Sequence, residues 1–181
     1  MIPSKDRADS VMRAIKSVIN QNTDLKIEII LVDDGSCDYT SEKVSVLFPE
    51  TVIVKTENAG PGKARNLGVQ AASSDVVMFL DSDDIWFPDH ASSLYEIIKN
   101  GSEFAYGITL NHNEVSGGQF LIPDMGKGRN GDCFRAMSRW CFTVPSSVAL
   151  TRKAFEAVNG FPERIMGEDW AFFIKLGARF S

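Results

Sequence analysis

Val76-Val77-Met78-Phe79-Leu80 is a run of five apolar residues, and Asp81-Ser82-Asp83-Asp84 follows it without a break. Five consecutive apolar residues rich in β-formers read as a strand buried on both faces, the pattern of a parallel sheet. Carboxylates at the exit of such a strand face the crevice in which open α/β sheets bind ligands. Packed carboxylates repel one another unless a positive charge sits among them, and a hard divalent cation with oxygen ligands supplies one. A solvated acidic loop capping the helix after Pro88 accounts for the same residues. The run alone leaves metal and cap open.

The rest of the chain alternates in the same way. Apolar strands are expected over 26–32, 52–55, 76–80, 103–108 and 144–150. Amphipathic or small-residue helices are expected over 9–20, 41–48, 60–72, 89–99, 152–159 and 168–176, with Asp9 capping the first and Gly160 closing the fifth. Residues 111–130 are glycine-rich and weakly patterned, which suits a long loop or hairpin at the rim. Strands alternating with helices predict βα units and a three-layer α/β/α sandwich on a mostly parallel central sheet. Residues 1–181 form one domain with enough chain for a sizeable core. Both ends read as trimmed: Met1-Ile2-Pro3 runs almost directly into a helix, and the last residues read as a helix end leading into a strand that is cut off.

Composition excludes several classes. A formal charge of -5, with no basic run or basic-aromatic stripe, argues against a nucleic-acid partner. The three cysteines, Cys37, Cys133 and Cys141, form no CxxC pair and suit reduced thiols, hence a cytoplasmic setting. No apolar stretch reaches membrane-spanning length and no signal-peptide core opens the chain. A peripheral place at the inner face of the membrane stays open for a longer parent protein.

Two strands therefore end in acidic tips, Asp33-Asp34-Gly35-Ser36 and Asp81-Ser82-Asp83-Asp84. An acid beside a glycine turn can accept hydrogen bonds from a ribose hydroxyl or a base N–H. The second tip could hold a cation bridging two phosphates, which makes a diphosphate a better leaving group. Between them, Asn58 to Gly68 fails as a phosphate loop, because Glu57 and Ala64 stand where glycine and a hydroxyl are needed. It remains a tight turn opening a helix that carries Lys63 and Arg65, either facing an anion or solvated. Glu168-Asp169-Trp170 begins the last helix. Acids there satisfy the helix dipole, and beside a metal-diphosphate site they become candidates for a general base.

Asp33-Asp34-Gly35-Ser36, Asn58-x-Gly60-x-x-x-Ala64-Arg65-Asn66-x-Gly68, Asp81-x-Asp83-Asp84 and Glu168-Asp169-Trp170, in that order, resemble the family 2 glycosyltransferases of the GT-A fold. The resemblance covers nearly the whole chain. It implies an inverting transferase with a nucleotide-diphospho-sugar donor, foremost a UDP-sugar, and a hydroxyl acceptor such as a growing surface glycan. By position, Pro3, Asp33, Asp34, Arg65, Asn66, Asp81 and Ser82 resemble the residues of the nucleotide side. Asp81 and Asp83 resemble the Asp-x-Asp pair that binds Mn2+ or Mg2+, with Asp83 the direct ligand. Asp169 resembles the catalytic base, with Glu168 in support. Trp170 and Trp86 are candidates to meet the acceptor, since indole faces pack against sugar rings; core packing is the alternative for both, and for Trp170 it accounts for the residue equally well. Lys5 stands where the family usually has an aromatic and Asp6 where it has an asparagine. Two other readings remain: a non-catalytic nucleotide-sugar-binding domain, and a sugar-phosphate nucleotidyltransferase, against which the glycine-free Pro3-Ser4-Lys5-Asp6-Arg7 counts.

Overall fold

The computed structural model describes residues 1–181 except 114, 124–130, 132, 164 and 181. Its first half is a parallel sheet. Strands β1 (Ile2–Ser4), β2 (Ile30–Asp34) and β3 (Val52–Thr56) pair in the order β1-β2-β3, with Ser4 opposite Asp33 and Asp34 opposite Thr56. All five residues of β2 are buried, as its apolar Ile30-Leu31-Val32 requires in a strand covered on both faces. Helix α1 (Ala8–Ile19) carries Val11, Ala14, Ile15 and Val18 on one buried face, a spacing of three and four residues that makes an apolar stripe. Asp9 does not cap it. Asp38, from the loop after β2, accepts from the Ala8 N–H at 2.9 Å, because the chain folds that loop over the helix start. Helix α1 crosses from β1 to β2 and α2 (Thr40–Leu47) from β2 to β3, while α3 (Pro61–Ala71) leads from β3 to the second half.

The second half changes direction. Strands β4 (Val76–Met78) and β5 (Phe104–Tyr106) both pair antiparallel with β8 (Val148–Thr151), and α4 (His90–Lys99) joins β4 to β5. The strand expected over 144–150 begins only at Val148, after a single 3₁₀ turn over Pro145–Ser147. The reason for the antiparallel return lies in the connection. From β5 the chain goes through a rim hairpin, β6 (Thr109–His112) and β7 (Gln119–Ile122), and a short helix α5 (Phe134–Met137). A parallel return would need a crossover of the βαβ kind. The Leu80 N–H donates to Met1 O at 3.0 Å and the Met1 amine to Met78 O at 2.8 Å, so β1 lies between the two halves. The expected three-layer α/β architecture with parallel strands is thus observed. The glycine-rich segment is a hairpin as far as Ile122, and 124–130 lie outside the described residues.

Helices α6 (Arg152–Ala157) and α7 (Glu168–Phe180) close the chain. Among the described residues the strand expected at the C-terminus is not there: α7 continues to Phe180. Phe173, Leu176 and Phe180 keep a helical spacing and pack on the same core, and Gly177 lets the helix lie against α5, where a Cβ would come within 3.1 Å of Phe134 Cα. That core is aromatic. Phe79, Phe155, Phe161, Phe172 and Phe173 are buried together with Phe142, and Phe161 stacks on Phe172 with centroids 3.9 Å apart. Full burial of such side chains stabilises by about 1.5–3 kcal/mol each. It also fixes where α7, and therefore Glu168 and Asp169, begins.

Candidate active site

The parallel register brings the exits of β1 and β2, the start of α3 and the acidic tip after β4 to one edge of the sheet. There they enclose a cavity of about 470 Å3, lined among others by Pro3, Asp34, Arg65, Asp81, Ser82 and Asp83. Six of the sequence-singled residues therefore meet in one place. A second cavity of about 450 Å3 lies between residues 26–30 and 75–78. It borders the opposite ends of the strands, whereas open α/β sheets bind ligands at the carboxyl ends.

Asp34 is buried, and its two oxygens accept the N–H groups of Ala59 (2.6 Å) and Gly60 (2.9 Å). It thereby fixes the turn that starts α3, and each oxygen keeps a lone pair for a ligand donor. Asp33 points to the other face of β2. Its carboxylate accepts from Ser41 Oγ, and from the Ser36 N–H at 2.9 Å. Burial alone would raise its pKa, but hydrogen bonds from Ser36 and Ser41 outweigh it and hold the carboxyl below its usual range. Asp33 does not line the cavity; it shapes the 33–36 turn.

The second tip is electrostatically divided. Asp81 Oδ1 accepts from Arg65 Nη2 at 2.7 Å, and Asp83 Oδ2 from Arg7 Nη1 at 2.9 Å. Asp84 turns inward and accepts from Ser146 Oγ at 2.5 Å, while the same hydroxyl accepts the Asp81 N–H. Burial pushes the Asp84 carboxyl up, the charges of Asp81 and Asp83 add to this, and the Ser146 bond opposes it. Arg7 and Ser146 were not among the residues expected at the site. The signal for Arg7 was available: in a parallel sheet the exit of β1 must lie beside the other strand exits. No short-range signal announces Ser146, 65 residues from Asp81.

Among the described residues no three His, Cys, Asp or Glu side chains converge on one point. Two carboxylates, Asp81 and Asp83, do border the cavity. Mg2+ is usually held by one or two carboxylates with substrate phosphates completing its shell, so this hard-oxygen donor set fits Mn2+ or Mg2+ together with a diphosphate.

Glu168 and Asp169 open α7 beside this edge. Glu168 Oε1 is bound by Arg65 Nη1 at 2.9 Å. Asp169 has no ion pair among the described residues; its Oδ1 accepts the Trp170 N–H at 2.7 Å. Asn66 faces away from the cavity, toward the backbone of Phe161. Trp170 is half-exposed, with its indole N–H on Met137 O at 2.6 Å. Trp86 is buried, donates to Ser146 O at 2.8 Å and stacks on His90 with centroids 4.6 Å apart.

His90 gives a pH prediction. Burial lowers its pKa from 6.5 to about 4, and Nε2 has no partner among the described residues. The unfolded chain takes up a proton below about 6.5 and the folded chain only near 4, so stability rises with pH across that window. The total is about 3 kcal/mol by linkage. Urea unfolding at the two ends of the window should show a smaller difference for His90→Gln than for the wild type. An unchanged difference would remove His90 as the source.

This fold is of the GT-A type. The chain superposes on Staphylococcus aureus TarS in complex with UDP-GlcNAc with a TM-score of 0.74, at 20% identity, covering 97% of this chain and 51% of that one. It superposes on the mannosyltransferase PcManGT of Pyrobaculum calidifontis, in complex with GDP-Man and Mn2+, with a TM-score of 0.70 at 17% identity, covering 97% and 50%. Residues 1–158 match the model of glycosyl transferase family 2, and the chain belongs to that family. An uncharacterised glycosyltransferase of Rickettsia conorii is 30% identical over the whole chain, and the succinoglycan biosynthesis protein ExoW of Rhizobium meliloti is 26% identical over 96% of it. The chain spans 30% and 61% of the lengths of these two relatives.

Proposed function

We propose that this chain carries the donor side of an inverting glycosyltransferase, moving a sugar from a nucleotide-diphospho-sugar to an acceptor hydroxyl. The observation that carries the reading is the cavity at the carboxyl edge of the sheet, lined by Asp34, Asp81 and Asp83 together. A carboxylate with free lone pairs suits a nucleoside base or ribose, and paired carboxylates suit a cation that neutralises the diphosphate. That cation, Mn2+ or Mg2+, would be held by Asp83 and Asp81 and would stabilise the charge of the leaving group. Asp83 must then leave Arg7, an exposed ion pair of the kind worth about 0–1 kcal/mol and so easily exchanged. Freed, Arg7 lies at the same rim as a further positive group for phosphate. Asp169 takes the proton of the acceptor hydroxyl as it attacks the anomeric carbon from the face opposite the diphosphate. Relatives named for succinoglycan biosynthesis and for minor teichoic acid biosynthesis support a surface glycan as the acceptor class. UDP is the first nucleotide to test, with GDP second, since TarS and PcManGT bind UDP-GlcNAc and GDP-Man respectively.

Thermal melting with UDP, GDP, dTDP and CDP, each with Mn2+, Mg2+ or a chelator, tests the donor site. A ligand at one hundred times its Kd stabilises by about 2.7 kcal/mol. One nucleotide should raise Tm in the presence of metal and lose most of that effect with chelator. Absence of any shift across the panel would overturn the donor-site reading for this chain.

A further inference from the structure

Arg65 occupies a place that a nucleotide-lining role does not explain. It is only 5% exposed, and its guanidinium is divided between two carboxylates from distant parts of the chain. Nη2 binds Asp81 at the tip after β4, and Nη1 binds Glu168 in the first turn of α7, 103 residues away. Its guanidinium carbon Cζ lies over the Phe161 ring, 5.2 Å from the centroid. Asn66, the next residue, grips the same loop: Nδ2 donates to Phe161 O and Oδ1 accepts the Phe161 N–H, both at 2.9 Å. Gly62, one turn earlier, removes the last obstacle, because a Cβ there would come within 2.3 Å of Pro162 O. Three residues of α3 thus clasp the segment that leads into Glu168 and Asp169.

We infer that Arg65 is a positioning residue that ties the Asp81 end of the donor cavity to the start of the base-bearing helix. The inference rests on the reading of Asp169 as base. Asp81 and Glu168 both carry negative charge and would repel one another; the buried fork between them sets their separation. In-line displacement needs the base and the leaving group held on opposite sides of one carbon, and an error of 1 Å there can cost about 10²-fold in rate. Arg65 spans that gap through protein groups alone. Lysine cannot replace it, since one ammonium cannot reproduce two directed bonds in a plane.

Arg65→Lys separates this role from a nucleotide contact and from simple packing. The expected result is a loss of about 10²-fold in kcat with donor KM and nucleotide Kd nearly unchanged. Amide exchange adds a reading independent of turnover. In the wild type, nucleotide with metal should slow exchange over residues 160–170, and in Arg65→Lys the nucleotide should bind without that protection. A fall in nucleotide affinity with kcat retained would overturn the inference in favour of a direct nucleotide contact. Faster exchange at 160–170 by the same factor with and without nucleotide would overturn it in favour of packing alone. Should the chain bind no nucleotide, the donor-site reading fails by itself, and the clasp is still decided on the free protein. Arg65→Lys and Glu168→Gln must then loosen the same amides, and the double variant no more than either. Additive effects would overturn the clasp.

Discussion

Asp169→Asn is expected to lower kcat by about 10²–10⁴-fold, the usual contribution of a general base, while nucleotide affinity stays as in the wild type. The structure separates the two neighbouring acids for this test. Glu168 is committed to Arg65, whereas Asp169 has no cation beside it among the described residues. The asparagine keeps the oxygen that accepts the Trp170 N–H, so the first turn of α7 is preserved and only proton acceptance is lost. A purely electrostatic role at the helix N-terminus predicts something else: a stability loss of about 0.3–1 kcal/mol and little change in rate. Initial rates at saturating donor, with calorimetric titration of the nucleotide and a melting curve on the same preparation, distinguish the two. Transfer by Asp169→Asn at a near wild-type rate would remove Asp169 as the base. Glu168→Gln is the useful companion, since its effect should come through geometry and vanish when Arg65→Lys is already present.

The shared position of Asp34, Asp81 and Asp83 was legible because these residues lie in local sequence patterns. An apolar strand ending in acids, twice, places Asp34, Asp81 and Asp83 at one sheet edge by topology alone, and the structure lines one cavity with all three. Elements with strong periodicity, such as α1 and α4, lie within a residue or so of their expected bounds. What was not legible depends on contacts distant in sequence. Asp33 and Asp34 are neighbours in the chain but alternate across β2, so one builds a turn and the other faces the cavity. Asn66 follows Arg65, yet a helix turns each residue by about a quarter circle or more, and Asn66 meets Phe161 and not the cavity. Ser146 enters only once the strand exits are assembled. The direction of β8 was equally hidden, because a strand's own residues do not encode whether its return passes through a crossover helix or a hairpin. The C-terminal segment misled for a simpler reason: Gly177 looks like a helix stop by composition, and it is instead the flat face on which α5 rests.

Phe172→Ala should be the most destabilising single change for the half of the domain that carries Asp169, the proposed base. The ring is wholly buried, stacked on Phe161 at 3.9 Å and packed edge-on or tilted against Phe79, Phe155 and Phe173. Truncation of a buried phenylalanine costs about 3–5 kcal/mol, because the aromatic neighbours relax only in part around the cavity. For a domain of this size each kcal/mol moves Tm by about 2–4 °C, so a fall of about 10 °C is expected. Phe172→Leu refills most of the volume and should fall by a fraction of that. The functional consequence follows from where the ring sits. Phe172 lies on α7 and supports Phe161, the residue held by Asn66 and faced by Arg65, while Asp34, Asp81 and Asp83 stand on other elements. Well below its Tm, Phe172→Ala should therefore bind nucleotide normally and turn over slowly. Equal loss of binding and rate would mean that the aromatic core supports both halves of the site alike. A Tm change of only a degree or two would show that α7 is anchored elsewhere, through Trp170 on Met137 and Gly177 on α5.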